Sequence, residues 1–159
     1  MALRSLTLHD PIQDHGAEQN GKVRLVDLRQ GDCLAILQTV PDESLDAVVS
    51  DPPYGINIKK QDDWDTPENA MAIWQTVFPE CYRALKNGSF LVAFGHPKTY
   101  HRMVTIIEDA GFTIHNMVGR AFFTGIVNDF KSGLKPAFEP IVIASKGSVK
   151  LNALEYKTE

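Results

Sequence analysis

The spacing of apolar residues changes several times along the chain, and each change predicts an element. Val23, Leu25 and Val26 predict a first strand over Lys22–Leu28, closed by the turn pair Gly31-Asp32. Cys33, Ile36, Leu37 and Val40 fall on one helical stripe and predict a short helix over Cys33–Val40. Pro41-Asp42-Glu43-Ser44 reads as a turn. Leu45–Ser50 is a near-continuous apolar run, the pattern of a strand covered on both faces in a parallel sheet. It stops at Asp51, because Pro52 and Pro53 have no N–H to give a central ladder.

A loop is expected over Gly55–Thr66, and then the period returns to that of a helix. Thr66-Pro67 has the form of an N-cap followed by proline at the first helical position, and the pattern runs to about Lys86. Ile73, Val77, Cys81 and Ala84 make its stripe, Pro79 is expected to kink or split it, and Asn87-Gly88 to stop it. Ser89–Phe94 predicts a second buried strand, Gly95-His96-Pro97 a turn, and Lys98–Ala110 a helix ended by Gly111. Phe112–Ala121 and Pro140–Ala144 are further strands, separated by a loop-like stretch, Phe122–Pro136. Strands alternating with helical segments imply an α/β domain with a mostly parallel sheet and helices on both faces. That domain is expected over 23–146, between polar tails at 1–22 and 147–159.

Composition narrows the function classes. The 159 residues make one domain, and the net charge of -4 argues against nucleic-acid binding through bulk positive charge, though not against a local basic cleft. No apolar run approaches the roughly 20 residues that span a bilayer, and Met1–Lys22 lacks a signal-like apolar core, so a cytoplasmic protein is expected. Cys33 and Cys81 show no Cys-x-x-Cys spacing and read as buried thiols in a reducing compartment. Asp62, Asp63 and Asp65 read as a solvated acidic loop, and no metal is expected.

The most informative string is Asp51-Pro52-Pro53-Tyr54, at the carboxyl end of a buried strand. Ligands of open α/β sheets bind outside those ends. Asp51 brings a carboxylate that accepts hydrogen bonds, and the two prolines hold their carbonyls in fixed directions as acceptors only. Tyr54 adds a flat aromatic face. Two acceptors beside a stacking plane suit an exocyclic amino group on a planar heterocycle. Such an amine is conjugated into its ring and is a poor nucleophile. Acceptors on its N–H groups favour a tetrahedral nitrogen whose lone pair is aimed at an electrophilic methyl. A base reaching this pocket must leave its stack, and Tyr54 would replace part of the lost stacking, at roughly 1–3 kcal/mol.

With those residues in view, the chain resembles the amino DNA methyltransferases that modify N6 of adenine or N4 of cytosine with S-adenosylmethionine. The resemblance runs from about Val23 to Lys146. It rests on Gly31-Asp32-Cys33, on Leu45-Asp46-Ala47-Val48-Val49-Ser50 leading into Asp51-Pro52-Pro53-Tyr54, and on Arg83-Ala84-Leu85-Lys86-Asn87-Gly88. Lys135-Pro136-Ala137-Phe138-Glu139-Pro140-Ile141 is similar to a segment of phage and prophage members. The resemblance implies a Rossmann-like methyltransferase fold, a target-amine site at Asp51, Pro52, Pro53 and Tyr54, and a cofactor edge at Asp32 and Cys33. Asp32 reads equally as the cap of the Cys33 helix. Aspartate at the head of the tetrapeptide favours adenine over cytosine.

The family also requires a Phe-x-Gly-x-Gly loop for the methionine part of the cofactor, and no such string occurs in the sequence. An incomplete fold is therefore expected, with Leu45–Ser50 left as an apolar edge that invites a second copy, a partner chain or infilling by the Val23–Leu28 strand. Lys59, Lys60, Lys131 and Lys135 are candidate phosphate contacts to DNA. Trp64 and Phe122-Phe123 are candidates for stacking or for packing. An RNA base methyltransferase and a non-catalytic remnant or DNA-binding partner subunit remain as alternatives. A protein glutamine methyltransferase would carry asparagine at Asp51, and an oxidoreductase would need a Gly-x-Gly-x-x-Gly turn that is absent.

Overall fold

A computed structural model of the protein describes residues 27–57, 65–121 and 137–149. The chain falls into two units, Met1–Gln30 and Gly31–Glu159. The described part of the first, 27–30, is not a strand, and it carries an ion pair between Arg29 and Asp27 at 2.6 Å. The rest of the expected Lys22–Leu28 strand and of the 1–22 tail lies outside the described residues, as does the tail from residue 150.

The second unit is built from α1 (Cys33–Gln38), β1 (Leu45–Ser50), α2 (Pro67–Ala84), β2 (Leu85–Phe94), α3 (Tyr100–Asp109), β3 (Phe112–Ala121) and β4 (Phe138–Lys146). The sheet order is β1-β2-β4-β3. β1 pairs parallel with β2, whereas β4 is antiparallel to both of its neighbours. Three strands thus share a direction and β4 alone is reversed. The expectation of mostly parallel pairing is corrected to one parallel ladder and two antiparallel ones. The reversal arises because β4 is inserted between β2 and β3 on its way back from β3.

The core lies on one face of this sheet. Leu91 and Ala93 of β2, Val142 and Ala144 of β4 and Phe112 of β3 meet Ala70, Trp74, Phe78 and Cys81 of α2 and Met103 and Ile107 of α3. Leu37 of α1 packs against the same cluster. The expected helices on both faces are not found among the described residues, and chain direction gives the reason. From β1 to β2 and from β2 to β3 the chain moves the same way across the sheet. Right-handed crossovers that travel in one direction deposit their helices on one side. On the other side Val49 is 70% and Val118 45% exposed. β1 is an edge of the described sheet and is covered on one face only, as the missing glycine loop led one to expect of its edge and against the pattern of its side chains.

Local sequence explains the element boundaries. Asp32 caps α1 by accepting from the Ala35 N–H at 2.9 Å, and Thr66 caps α2 by accepting from Asn69 at 3.2 Å. α2 continues through Pro79, which is exposed, so water can serve the carbonyl that the missing N–H abandons. Its buried stripe is Ala70, Trp74, Phe78, Cys81 and Ala84, offset by one position from the expected stripe at Ile73 and Val77. Asn87-Gly88 does not end this helix. Leu85 already has an extended backbone, and the Asn87-Gly88 pair bulges out of β2, where the register jumps between Leu45↔Leu85 and Ala47↔Phe90. Gly88 takes φ 83°, which glycine adopts without strain. Arg83 ties this corner together. It donates to the Val40 and Leu37 carbonyls at 2.9 Å each and pairs with Glu80 and Asp42. Of the two cysteines only Cys81 is buried, and burial pushes its thiol up to about 11. Cys33 is exposed, because it opens a helix too short to bury any residue.

Candidate active site

The carboxyl ends of β1 and β2 open onto a rim that β4 enters from the opposite direction. Phe94 of β2 stands opposite Ile141, and the Gly95 N–H donates to the Pro140 carbonyl at 2.9 Å, so β4 brings Phe138 and Glu139 to the end of β1. Asp51, Pro52, Pro53 and Tyr54 follow β1 directly at this rim.

Each residue of the tetrapeptide has a distinct environment. Asp51 is exposed, and among the described residues its carboxylate forms no ion pair. Its polar neighbour is the Tyr54 hydroxyl. The Pro53 carbonyl accepts from the indole N–H of Trp74 at 3.1 Å, which anchors the rigid turn to the core of α2. The Tyr54 carbonyl accepts from Thr99 Oγ1 at 2.6 Å. The Tyr54 hydroxyl donates to Glu139 Oε1 at 2.9 Å. Burial, followed by the Asp51 and Glu139 carboxylates, raises this phenol far above its ordinary range, so it stays protonated. Beyond Tyr54 the chain turns at Gly55, with φ 65°, and Asp65 receives the Gly55 N–H at 2.6 Å. Asp65 therefore holds the turn at Gly55.

His96 flanks the site, with its ring centroid 6.2 Å from that of Tyr54. Burial and then the Lys98 charge lower its pKa, and its Nδ1 accepts from the Lys98 N–H at 3.2 Å. Protonating that nitrogen would break the bond. A folded-state value below the unfolded one means that this stability is complete above the ordinary value of 6.5 and is lost as pH falls through the lower folded value. Melting temperatures measured from pH 7 to 5 should therefore fall more steeply for the wild type than for His96→Asn. Parallel curves would show that His96 is not held neutral by its surroundings.

A family model described as DNA methylase, of the N6/N4 type, matches residues 45–159. The chain belongs to the N6/N4 DNA methylase family. The type II methyltransferase M.BamHI of Bacillus amyloliquefaciens is 35% identical to this chain over 75 residues, covering 45% of it and 18% of M.BamHI. M.BglII of Bacillus subtilis is 34% identical over 105 residues, covering 65% and 26%. The chain thus spans less than half the length of the curated relatives it matches.

Solved structures of DNA methyltransferases share this Rossmann-like fold. The cytosine-N4-specific PvuII DNA methyltransferase superposes with a TM-score of 0.59 at 17% identity, over 75% of this chain and 48% of its own. The Thermus thermophilus protein TTHA0409, complexed with S-adenosyl-L-methionine, gives 0.58 at 20% identity, over 74% and 54%.

Of the expected site residues, the structure brings Asp51, Pro52, Pro53 and Tyr54 together at one strand tip, and sets Asp32 and Cys33 at the start of α1. Lys59, Lys60, Lys131, Lys135, Trp64 and Phe122-Phe123 lie outside the described residues. No group of His, Cys, Asp or Glu suited to a metal occurs among the described residues. No described helix is long and apolar enough to cross a membrane. Sequence reasoning missed Trp74, Thr99 and Glu139 as partners of the tetrapeptide. Glu139 lies within the Lys135–Ile141 segment, where a carboxylate directly before the expected Pro140–Ala144 strand was the one available signal.

Proposed function

We propose that this chain supplies the target-base half of a DNA adenine-N6 methyltransferase. The observation that carries the reading is the exposed Asp51 carboxylate, free of any described ion pair, followed by a rigid proline turn at the open end of β1. Pro53 gives its carbonyl to Trp74, which leaves Asp51 and the Pro52 carbonyl as the two acceptors for the exocyclic amine. No described residue donates to the Pro52 carbonyl. The Tyr54 ring offers the stacking face for a base drawn out of its duplex. Gripping both N–H groups concentrates electron density on nitrogen and points its lone pair outward. The aspartate at the head of the motif supports adenine. The match to the PvuII enzyme supports N4 of cytosine as the second reading.

When bound, S-adenosylmethionine supplies the electrophilic methyl. The residues present fit one edge of it. Asp32 is exposed at the N-terminus of α1 with one oxygen engaged by Ala35, and no described residue donates to the other. The methionine end requires a glycine-rich loop that the 159 residues do not contain. A further segment or a partner chain supplies it, alongside β1 at the edge of the described sheet.

Calorimetry should detect no S-adenosylmethionine binding by this chain alone, and binding once the glycine-loop half is added. Incubating that complex with duplex DNA and analysing the nucleosides should yield N6-methyl-2′-deoxyadenosine. N4-methyl-2′-deoxycytidine instead would transfer the assignment to the second reading, and an unmethylated digest would overturn both.

A further inference from the structure

Tyr54 has one proton to donate and two carboxylates within its reach, Asp51 and Glu139. The hydroxyl donates to Glu139 Oε1 at 2.9 Å, with the Asp51 carboxylate competing for the same proton. Glu139 comes from β4, 85 residues away in sequence, and its side chain is only 17% exposed. A carboxylate so enclosed is costly unless it is partnered. Its Oε2 has no hydrogen bond among the described residues, while Arg120 of β3 places Nε 3.3 Å from that atom. Arg120 and Glu139 are register partners across the β3–β4 ladder, so the guanidinium is carried to the carboxylate by the sheet itself.

We infer that Glu139 is a positioning residue that captures the Tyr54 hydroxyl and thereby keeps the Asp51 carboxylate free for the amine of the target base. Three features make the capture firm. Thr99 pins the backbone carbonyl of Tyr54, Glu139 pins the far end of its ring, and Arg120 balances the charge of Glu139. Without Glu139 the phenol turns to the one remaining carboxylate, Asp51, and occupies the acceptor that the substrate needs. The inference rests on the base-site reading of Asp51 and Tyr54, but its first test does not.

That test uses the 159-residue chain labelled with ¹³C at tyrosine Cζ, with the Tyr54 resonance assigned by its disappearance in Tyr54→Phe. Glu139→Leu should shift the Tyr54 signal, Glu139→Gln should largely restore it because the amide carbonyl still accepts, and adding Asp51→Ala to Glu139→Leu should move the signal again. A Tyr54 resonance unmoved by Glu139→Leu overturns the inference. Should that variant fail to fold, Glu139→Asp retains the charge and withdraws it by one methylene, with the same shift expected.

The second test measures kcat in the complemented enzyme. Glu139→Leu should lower it on the order of tenfold to a hundredfold, a misplacement-sized loss. The decisive comparison is the double variant with Tyr54→Phe. Once the hydroxyl is gone nothing blocks Asp51, so the double variant should be no slower than Tyr54→Phe alone. Multiplicative losses would assign Glu139 a merely structural part and overturn the inference. A wild-type complex that transfers no methyl would defeat the proposed function, while the Cζ shifts would still decide the Tyr54–Glu139 pairing.

Discussion

Asp51→Ala should lower methyl transfer by the complemented enzyme roughly a hundredfold to a thousandfold, the scale of losing a preorganised group at a developing charge. Stability should hardly change, within about 0.5 kcal/mol, because the side chain is exposed and supports no described ion pair. This pairing of outcomes is the useful part. A lost rate with an unchanged melting curve assigns Asp51 to chemistry, whereas a parallel fall in both would make it a structural residue. Asp51→Asn keeps a carbonyl acceptor but not the charge, and should fall between the two. Rates within a few-fold of wild type for Asp51→Ala would mean that the amine is gripped elsewhere.

Trp74→Ala should be the most damaging single change to the fold among the residues that serve the site. Trp74 is 2% exposed at the centre of the α2 stripe. Truncating a buried tryptophan costs about 3–5 kcal/mol. In a chain of this size that lowers the melting temperature by on the order of 10 °C. The same residue holds the Pro53 carbonyl, so the rigid turn slackens as the core empties. Trp74→Phe separates the two effects. It fills much of the volume, removes the indole donor at a cost of about 1 kcal/mol, and should reduce methyl transfer more than its effect on melting would suggest. An enzyme with wild-type kinetics in Trp74→Phe would show that the indole hydrogen bond has no part in presenting the tetrapeptide.

The sequence-based reading succeeded where the signal was local. Leu45–Ser50 and Phe112–Ala121 form strands with the expected bounds, because an apolar run closed by proline or glycine leaves the backbone few choices. The Thr66-Pro67 helix start was legible for the same reason. Legibility ended where distant segments decide. Glu139 meets Tyr54 across 85 residues, and no short-range pattern announces such a contact. The α2 stripe was offset because Trp74 and Phe78 outweigh Ile73 and Val77 in the area they bury, a choice made by the sheet beneath them. Asn87-Gly88 has the chemistry of a helix stop, and the same chemistry serves a strand bulge. The side on which helices lie depends on the direction of travel across the sheet, which a list of elements does not contain.

That direction of travel has a further consequence. From β1 the described chain progresses only toward β2 and beyond. A strand laid parallel along the other flank of β1, joined by a right-handed crossover, must put its helix on the bare side that holds Val49 and Val118. The path of the polypeptide would then reverse at β1 itself. Where neighbouring crossovers depart to opposite sides, the loops above the strands splay apart and leave a crevice. Asp51 would stand at the lip of that crevice, so completing the sheet would also dig the pocket.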